Sequence, residues 1–349
     1  MNGQQIDILM LGGKRCGKTT VLASMVQQIG AALNGTGLYL EVLNPQTREK
    51  LDEAISSLRE KLNDFNRPLT RVKVDENPTS AESEYAFMLH VNGGRDIPLR
   101  IHDIPGEWLV DEHAERVKEL VSNARVIIIA IDTPYLFAKM TDNGYGIYHK
   151  EYNKSEEIAN FFKETLSAQD IQNRMIMFVP IKCERYYHLT HTPPLNVSRR
   201  NYMTEIVDAV GSGYRDLIQY IRTSPALLNS CTIAIVPILS AGGIDFVRFE
   251  KDEETDKMVS LYQKPEFLPQ NLQGYRPYYC EQPMVYSLAY IMTLELEEAM
   301  QAVSANGNIF GVDLNRINEL RQAMRLRMAR STGNRPQDGF YFIQNPKDL

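Results

Sequence analysis

Only four cysteines stand in the 349 residues, Cys16, Cys183, Cys231 and Cys280, and no two form a CxxC pair. That spacing supports neither a zinc ribbon nor a disulfide framework. Long apolar runs are also missing. The longest, residues 126–131, is far below the roughly 20 residues that cross a bilayer. The first residues, MNGQQIDILMLGG, lack the basic stretch and long apolar core of a secretory signal, so a reducing, cytoplasmic setting is expected. Positive charge is not in excess: 38 Lys and Arg stand against 44 Asp and Glu, a net charge of −6. A mildly acidic chain argues against a dedicated nucleic-acid binder, which must neutralise phosphates. Hydrophobic residues at 43% and charged residues at 23% exclude a wholly disordered, collagen-like or coiled-coil chain. There is no internal repeat, low-complexity tract or Gly/Ser- or Pro-rich linker, which favours one elaborated domain over two.

What is present is a recurring unit: a short apolar strand, a loop, then an amphipathic stretch. Strands are expected at residues 6–11, 84–91, 99–101, 126–131, 175–180 and 232–237. The second and third are joined by Asn92-Gly93-Gly94-Arg95, a hairpin signal. The last three are nearly continuous β-rich apolar runs, as in parallel strands covered on both faces. Helices are expected at 20–33, 112–122, 155–166 and 205–222, so strand and helix alternate as in a helix-sandwiched sheet. Three stretches exceed that plan. Leu51, Ile55, Leu58 and Leu62 give residues 48–62 helical spacing; residues 246–263 read as a hairpin around the acidic turn 252–256; and a helix at 284–303 precedes a C-terminal extension.

The first strand runs into Gly12-Gly13-Lys14-Arg15-Cys16-Gly17-Lys18-Thr19, GxxxxGK[ST] in full, between a strand and a helix. Glycines let several backbone N–H groups converge on phosphate oxygens, and the next helix adds its positive end. Lys18 would reach the β- and γ-phosphates, and the Thr19 hydroxyl would hold Mg²⁺. A second signal, Asp103-Ile104-Pro105-Gly106-Glu107, closes the third strand. Its acid can hold Mg²⁺ through water, and the Gly106 amide can meet the γ-phosphate. Residues 126–131 followed by Asp132 also fit the acidic strand end of P-loop ATPases, a competing partner for the metal.

With these motifs the chain resembles the Ras-like P-loop GTPases of the translation-factor-related class, over most of its length to about residue 303. The resemblance implies a three-layer α/β/α P-loop NTPase fold, mostly parallel with one antiparallel strand. It implies a GTPase domain at 1–303 with insertions at about 34–76 and 244–282, and a basic helical extension at 304–349. Asp103 to Gly106 matches the family's DxxG. Asn77-Pro78-Thr79 stands where the switch threonine does, which would make Thr79 a second Mg²⁺ ligand beside Thr19 and Asp103. Ile181-Lys182-Cys183-Glu184 occupies the place of [NT]KxD: Lys182 keeps the stem that packs on the base, Glu184 keeps a carboxylate for the guanine N–H groups, and Ile181 departs from the pattern. Ser240-Ala241 matches the SA motif, whose backbone amide meets guanine O6. Nucleotide contacts would thus come from Gly12, Gly13, Lys14, Arg15, Cys16, Gly17, Lys18, Thr19, Thr20, Gly106, Lys182, Glu184, Ser240 and Ala241. Lys18, Arg15, Glu107 and Thr79 would carry the catalysis. Glu107 replaces the water-orienting Gln, and Arg15 resembles the cradle arginine finger of guanylate-binding proteins. The implied activity is Mg²⁺-dependent hydrolysis of GTP to GDP by a molecular switch. The long segment between Lys18 and Asp103 further resembles bacterial double-GTPase proteins, associated with multi-protein conflict and defence systems, so protein partners are implied.

Residues 314–335 place Arg316, Arg321, Arg325, Arg327, Arg330 and Arg335 against Glu319, over an apolar stripe of Leu314, Ile317, Leu320, Met324 and Met328. This reads as a docked helix with a solvated basic face or as a contact for an acidic partner, nucleic acid or anionic lipid. His102 alternates with apolar neighbours as a satisfied strand residue, and His188 with His191 lacks a metal-binding constellation. Trp108, the only tryptophan, follows the Asp103–Glu107 segment directly.

Overall fold

Eight strands form the main sheet: β1 (Ile6–Leu11), β2 (Leu38–Val42), β3 (Ser83–Val91), β4 (Ile97–Asp103), β5 (Val126–Asp132), β6 (Arg174–Ile181), β7 (Cys231–Ile235) and β8 (Tyr341–Gln344). They lie in the order β8-β7-β6-β5-β1-β4-β3-β2. The computed structural model describes residues 5–63, 72–73, 81–109, 113–140, 144–145, 147–166, 172–192, 200–251, 258–264, 274–306, 313–329 and 338–349.

The two-residue side-chain period of a strand gives the sheet two apolar faces. Ile6, Ile8 and Met10 enter one core while Leu9 and Leu11 enter the other; Ile128 and Ala130 face the first, Ile127, Ile129 and Ile131 the second. Helices Lys18–Leu33 and Gln282–Asn306 cover the first face. Helices Ala114–Asn123, Ser155–Thr165, Tyr202–Gly213 and Arg215–Thr223 cover the second. The result is a three-layer α/β sandwich.

β4, β1, β5, β6 and β7 are mutually parallel. The expected antiparallel strand is β3, paired with β4 through the Asn92–Arg95 hairpin. Two edge strands lie outside the sequence expectation. β2 pairs with β3, and β8 runs antiparallel to β7 as a second reversed strand. Both are short and partly exposed, LYLEV and YFIQ, so neither makes a long apolar run. The helix expected at 205–222 is two helices broken at Tyr214, after the weak helix formers Gly211-Ser212-Gly213.

The stretch expected as a first insertion carries helix Pro45–Asn63, and the one expected as a second carries the antiparallel hairpin Asp245–Lys251 with Met258–Gln263. The acidic turn 252–256 lies outside the described residues. The C-terminal segment is tied to the body twice: β8 joins the sheet, and helix Leu314–Arg327 buries Leu320 and Met324. Its arginines are used internally. Arg316 donates to the Asn92 carbonyl, Arg321 to Thr293 and Arg327 to the Asn34 carbonyl, and Arg325 lies 3.8 Å from Asp348. Arg330 and Arg335 lie outside the described residues.

Candidate nucleotide site

β1 ends at Leu11 and helix Lys18–Leu33 begins seven residues later, so residues 12–17 must curl in between. Gly17 caps the helix with φ at 102°, a conformation that side chains disfavour. Lys18 is buried, and its Nζ donates to the Gly12 and Gly13 carbonyls, both at 3.3 Å. Those contacts hold the ammonium across the mouth of the cradle. Cys16 packs into the core, and burial pushes its thiol pKa up, which suits a packed side chain and not a nucleophile.

The parallel register of β1 on β4 sets Met10 opposite Asp103, which brings the acid to the cradle. The Thr19 hydroxyl donates to Asp103 Oδ2 at 2.6 Å. A hydroxyl and a carboxylate, both oxygen donors at the end of a phosphate cradle, suit Mg²⁺, which takes a few protein oxygens and completes its shell with water and phosphate. Gly106 follows at the start of a 3₁₀ turn, Gly106–Leu109. A Cβ there would sit 2.3 Å from the Lys14 amide nitrogen, so only glycine lets this segment lie on the cradle. Lys14 and Glu107 form an ion pair across that contact, while Glu107 Oε2 is buried with no hydrogen-bond partner among the described residues. Thr79 lies outside the described residues, as do Asn77 and Pro78.

The two segments expected to recognise the base meet because the β6–β7 pairing continues past the strands. Val236 and Ile238 donate to the Phe178 and Pro180 carbonyls, and Cys183 donates back to Ile238. Residues 181–184 and 240–241 therefore lie side by side. Glu184 Oε1 accepts from the Ala241 amide at 2.7 Å and the Gly242 amide at 3.2 Å, so it holds the SA segment in place. Burial raises the Glu184 pKa, although these amides act in the opposite direction. Lys182 Nζ lies 2.5 Å from Asp132 Oδ2. Burial opposes its charge, yet Asp132 outweighs burial and holds the Lys182 pKa well above the ordinary lysine value. Asp132 also caps helix Thr133–Phe137 and is held by Asn153. Its partner is thus Lys182, while the acid beside Thr19 is Asp103. Ile181, the departure from the family pattern, is buried and lines the same pocket as Gly17, joining the base loop to the cradle by packing.

Arg15, Cys16, Gly17 and Thr20 from the cradle line one pocket with Lys182, Glu184, Ser240 and Ala241. Arg15 adopts φ of 60°, and its Nε is buried without a hydrogen-bond partner among the described residues. Three further residues line this pocket: Leu58 from the first insertion, and Ile244 and Tyr262 from the second. No local motif marks them, and only the packing of two distant insertions brings them here.

The cradle after β1, Asp103 facing Thr19 and the strand order together define a P-loop NTPase. Within that class, the Double-GTPase 2 family model matches residues 8–210, and the chain belongs to this family. It is a P-loop GTPase of the double-GTPase type. The match covers the cradle, Asp103–Glu107 and Lys182–Glu184 but stops before Ser240, Ala241 and the second insertion. A search of curated proteins found no match.

Proposed function

We propose that this chain binds Mg²⁺ with GTP, hydrolyses GTP to GDP, and works as a γ-phosphate-sensing switch within a multi-protein system of the defence kind. The observation that carries the reading is the Thr19–Asp103 hydrogen bond of 2.6 Å beside Gly106, which lies against the cradle. The multi-protein and defence setting rests on the family likeness.

Bound Mg²⁺ would supply charge neutralisation on the β- and γ-phosphates. Thr19 and Asp103 would hold it, with Thr79 as the third oxygen donor. Lys18 orients the phosphates, and the Gly106 amide answers to the γ-phosphate. Glu107 stands in the place of the usual glutamine. Its repulsion from phosphates is offset by the ion pair to Lys14, and Oε2 can accept the proton of an attacking water. Lys182 packs on the base and Glu184 accepts its N–H groups, while the Ala241 amide, given to Glu184 Oε1, holds the SA segment beside the base rather than meeting its carbonyl.

The test is to identify the nucleotide that co-purifies and to measure phosphate release from GTP and ATP with Mg²⁺ and with a chelator. GTP and GDP should bind at least about tenfold more tightly than ATP, about 1.4 kcal/mol. Equal affinity for ATP refutes the guanine reading. A second reading, a nucleotide-holding scaffold, is favoured by the engagement of Glu107 with Lys14. It predicts tight GTP binding with no phosphate release above the uncatalysed rate.

A further inference from the structure

The two insertions converge on the base-recognition segments. Leu58, Ala241, Ile244 and Tyr262 form a small buried cluster of their own, apart from the two main cores, with Phe246 packed beside it. Leu58 belongs to helix Pro45–Asn63, Tyr262 to the hairpin strand Met258–Gln263, and Ala241 to the SA segment. The hairpin is also fastened to the helix that starts at Glu184. His188 Nδ1 lies 2.7 Å from Asp245 Oδ1, and Arg185 donates to the Phe246 carbonyl.

Within this cluster Tyr262 is 2% exposed, and its hydroxyl, with Ser260 and Lys182 near it, makes no hydrogen bond of ordinary geometry among the described residues. A buried hydroxyl without such a bond costs free energy. It lines the same pocket as Lys182, Glu184 and Ser240. The cavity there is about 30 Å³, room for about two waters. A purine is several times larger, so seating one requires lining side chains to move, and Leu58, Ile244 and Tyr262 are those that the two insertions supply.

We propose that the two insertions form a lid over the nucleobase, and that the Tyr262 hydroxyl is a base-specificity group that hydrogen-bonds the purine once it is seated. The inference rests on the nucleotide reading above and adds a contact from outside the segment that defines the family match. A site that pairs a polar group of the ligand discriminates strongly against ligands lacking that group.

The test uses the full chain and compares wild type, Tyr262→Phe and Leu58→Ser. The ligands are Mg²⁺ with GDP, with ADP and with pyrophosphate alone. Tyr262→Phe keeps the ring and the packing. It should weaken GDP at least about tenfold and leave pyrophosphate affinity within twofold. Leu58→Ser should raise the GDP dissociation rate several-fold with the order of base preference unchanged. GDP affinity within twofold of wild type in Tyr262→Phe overturns the specificity role, and unchanged dissociation in Leu58→Ser overturns the lid. Equal losses for GDP and pyrophosphate also overturn the proposal, because they place the effect at the phosphates. If wild type prefers ADP, the guanine reading fails separately, and the Tyr262→Phe comparison is scored on ADP by the same limits.

Discussion

Glu184 is asked to do two things at once, and its two oxygens allow them to be separated. Oε1 accepts the Ala241 and Gly242 amides, and the same carboxylate is the proposed acceptor for the guanine N–H groups. Hydrogen bonds to a charged group contribute about 1.5–3 kcal/mol each, less the cost of burying a carboxylate that is 2% exposed. Glu184→Ala would leave two amides without their acceptor and open a gap between residues 183 and 241. It should destabilise the fold by about 2–4 kcal/mol and also remove the preference for GDP over ADP. Glu184→Gln is the sharper perturbation. Its amide oxygen can still accept from Ala241 and Gly242, so stability should stay within about 1 kcal/mol of wild type. Its NH₂ then faces the guanine donors, and GDP should bind about a hundredfold more weakly, ~2.7 kcal/mol. Urea denaturation monitored by circular dichroism gives the stabilities, and competition against a fluorescent GDP gives the affinities. A Gln variant that binds GDP within threefold of wild type would refute the assignment of Glu184 to the base and leave it as the anchor of the SA segment alone.

Arg15→Ala should lower kcat for GTP by about 10³-fold while GDP affinity changes little, because a cis arginine stabilises charge that develops in the transition state; single-turnover hydrolysis at the wild-type rate, with and without cell extract, excludes that role. Trp108 packs against the second core and stacks on His113 with ring centroids 4.3 Å apart. Its emission should differ between the GDP and non-hydrolysable GTP states, and identical spectra and quenching would argue for a static site. His102 bridges Asp7 at 3.5 Å and Glu82 at 3.0 Å. Burial opposes its charge, but the two carboxylates prevail and raise its pKa, while those of Asp7 and Glu82 are lowered by their partners against the effect of burial. The histidine's stabilising share is therefore full below about pH 6.5 and is lost as pH rises through its raised folded value. The carboxylates' share is full above about pH 4.5 and is lost in acid. Denaturation midpoints should accordingly decline from pH 6 to pH 8.5, and His102→Gln should flatten that decline; an equal slope in both proteins would remove His102 as its source.

Residues that act through their neighbours in sequence were legible from the sequence alone. The cradle from Gly12 to Thr19, the Asp103–Gly106 turn and the apolar strands announce themselves locally, because strand period, glycine spacing and helix entry are properties of short segments. From these the class of fold and a mostly parallel sheet could be read, while the order of the strands comes from the structure. The expected helix in the first insertion and the hairpin in the second were also legible by period. Their destination was not. That Leu58 and Tyr262 meet beside Ala241 depends on two insertions packing together across the fold, and no local pattern encodes that meeting. The same holds for three pairings. Asp132 competed with Asp103 for the metal on sequence pattern, and the β1–β4 register brings Asp103 to Thr19 while Asp132 goes to Lys182. Lys14 meets Glu107 only because glycine at 106 lets two loops touch. The basic C-terminal stretch read first as a docked helix and second as a contact for an outside partner, and the edge strand β8 with the buried Leu320 and Met324 ties that segment to the body. Short-range chemistry is carried by residue type and spacing. Which side chains become neighbours across the fold is decided by how the layers pack.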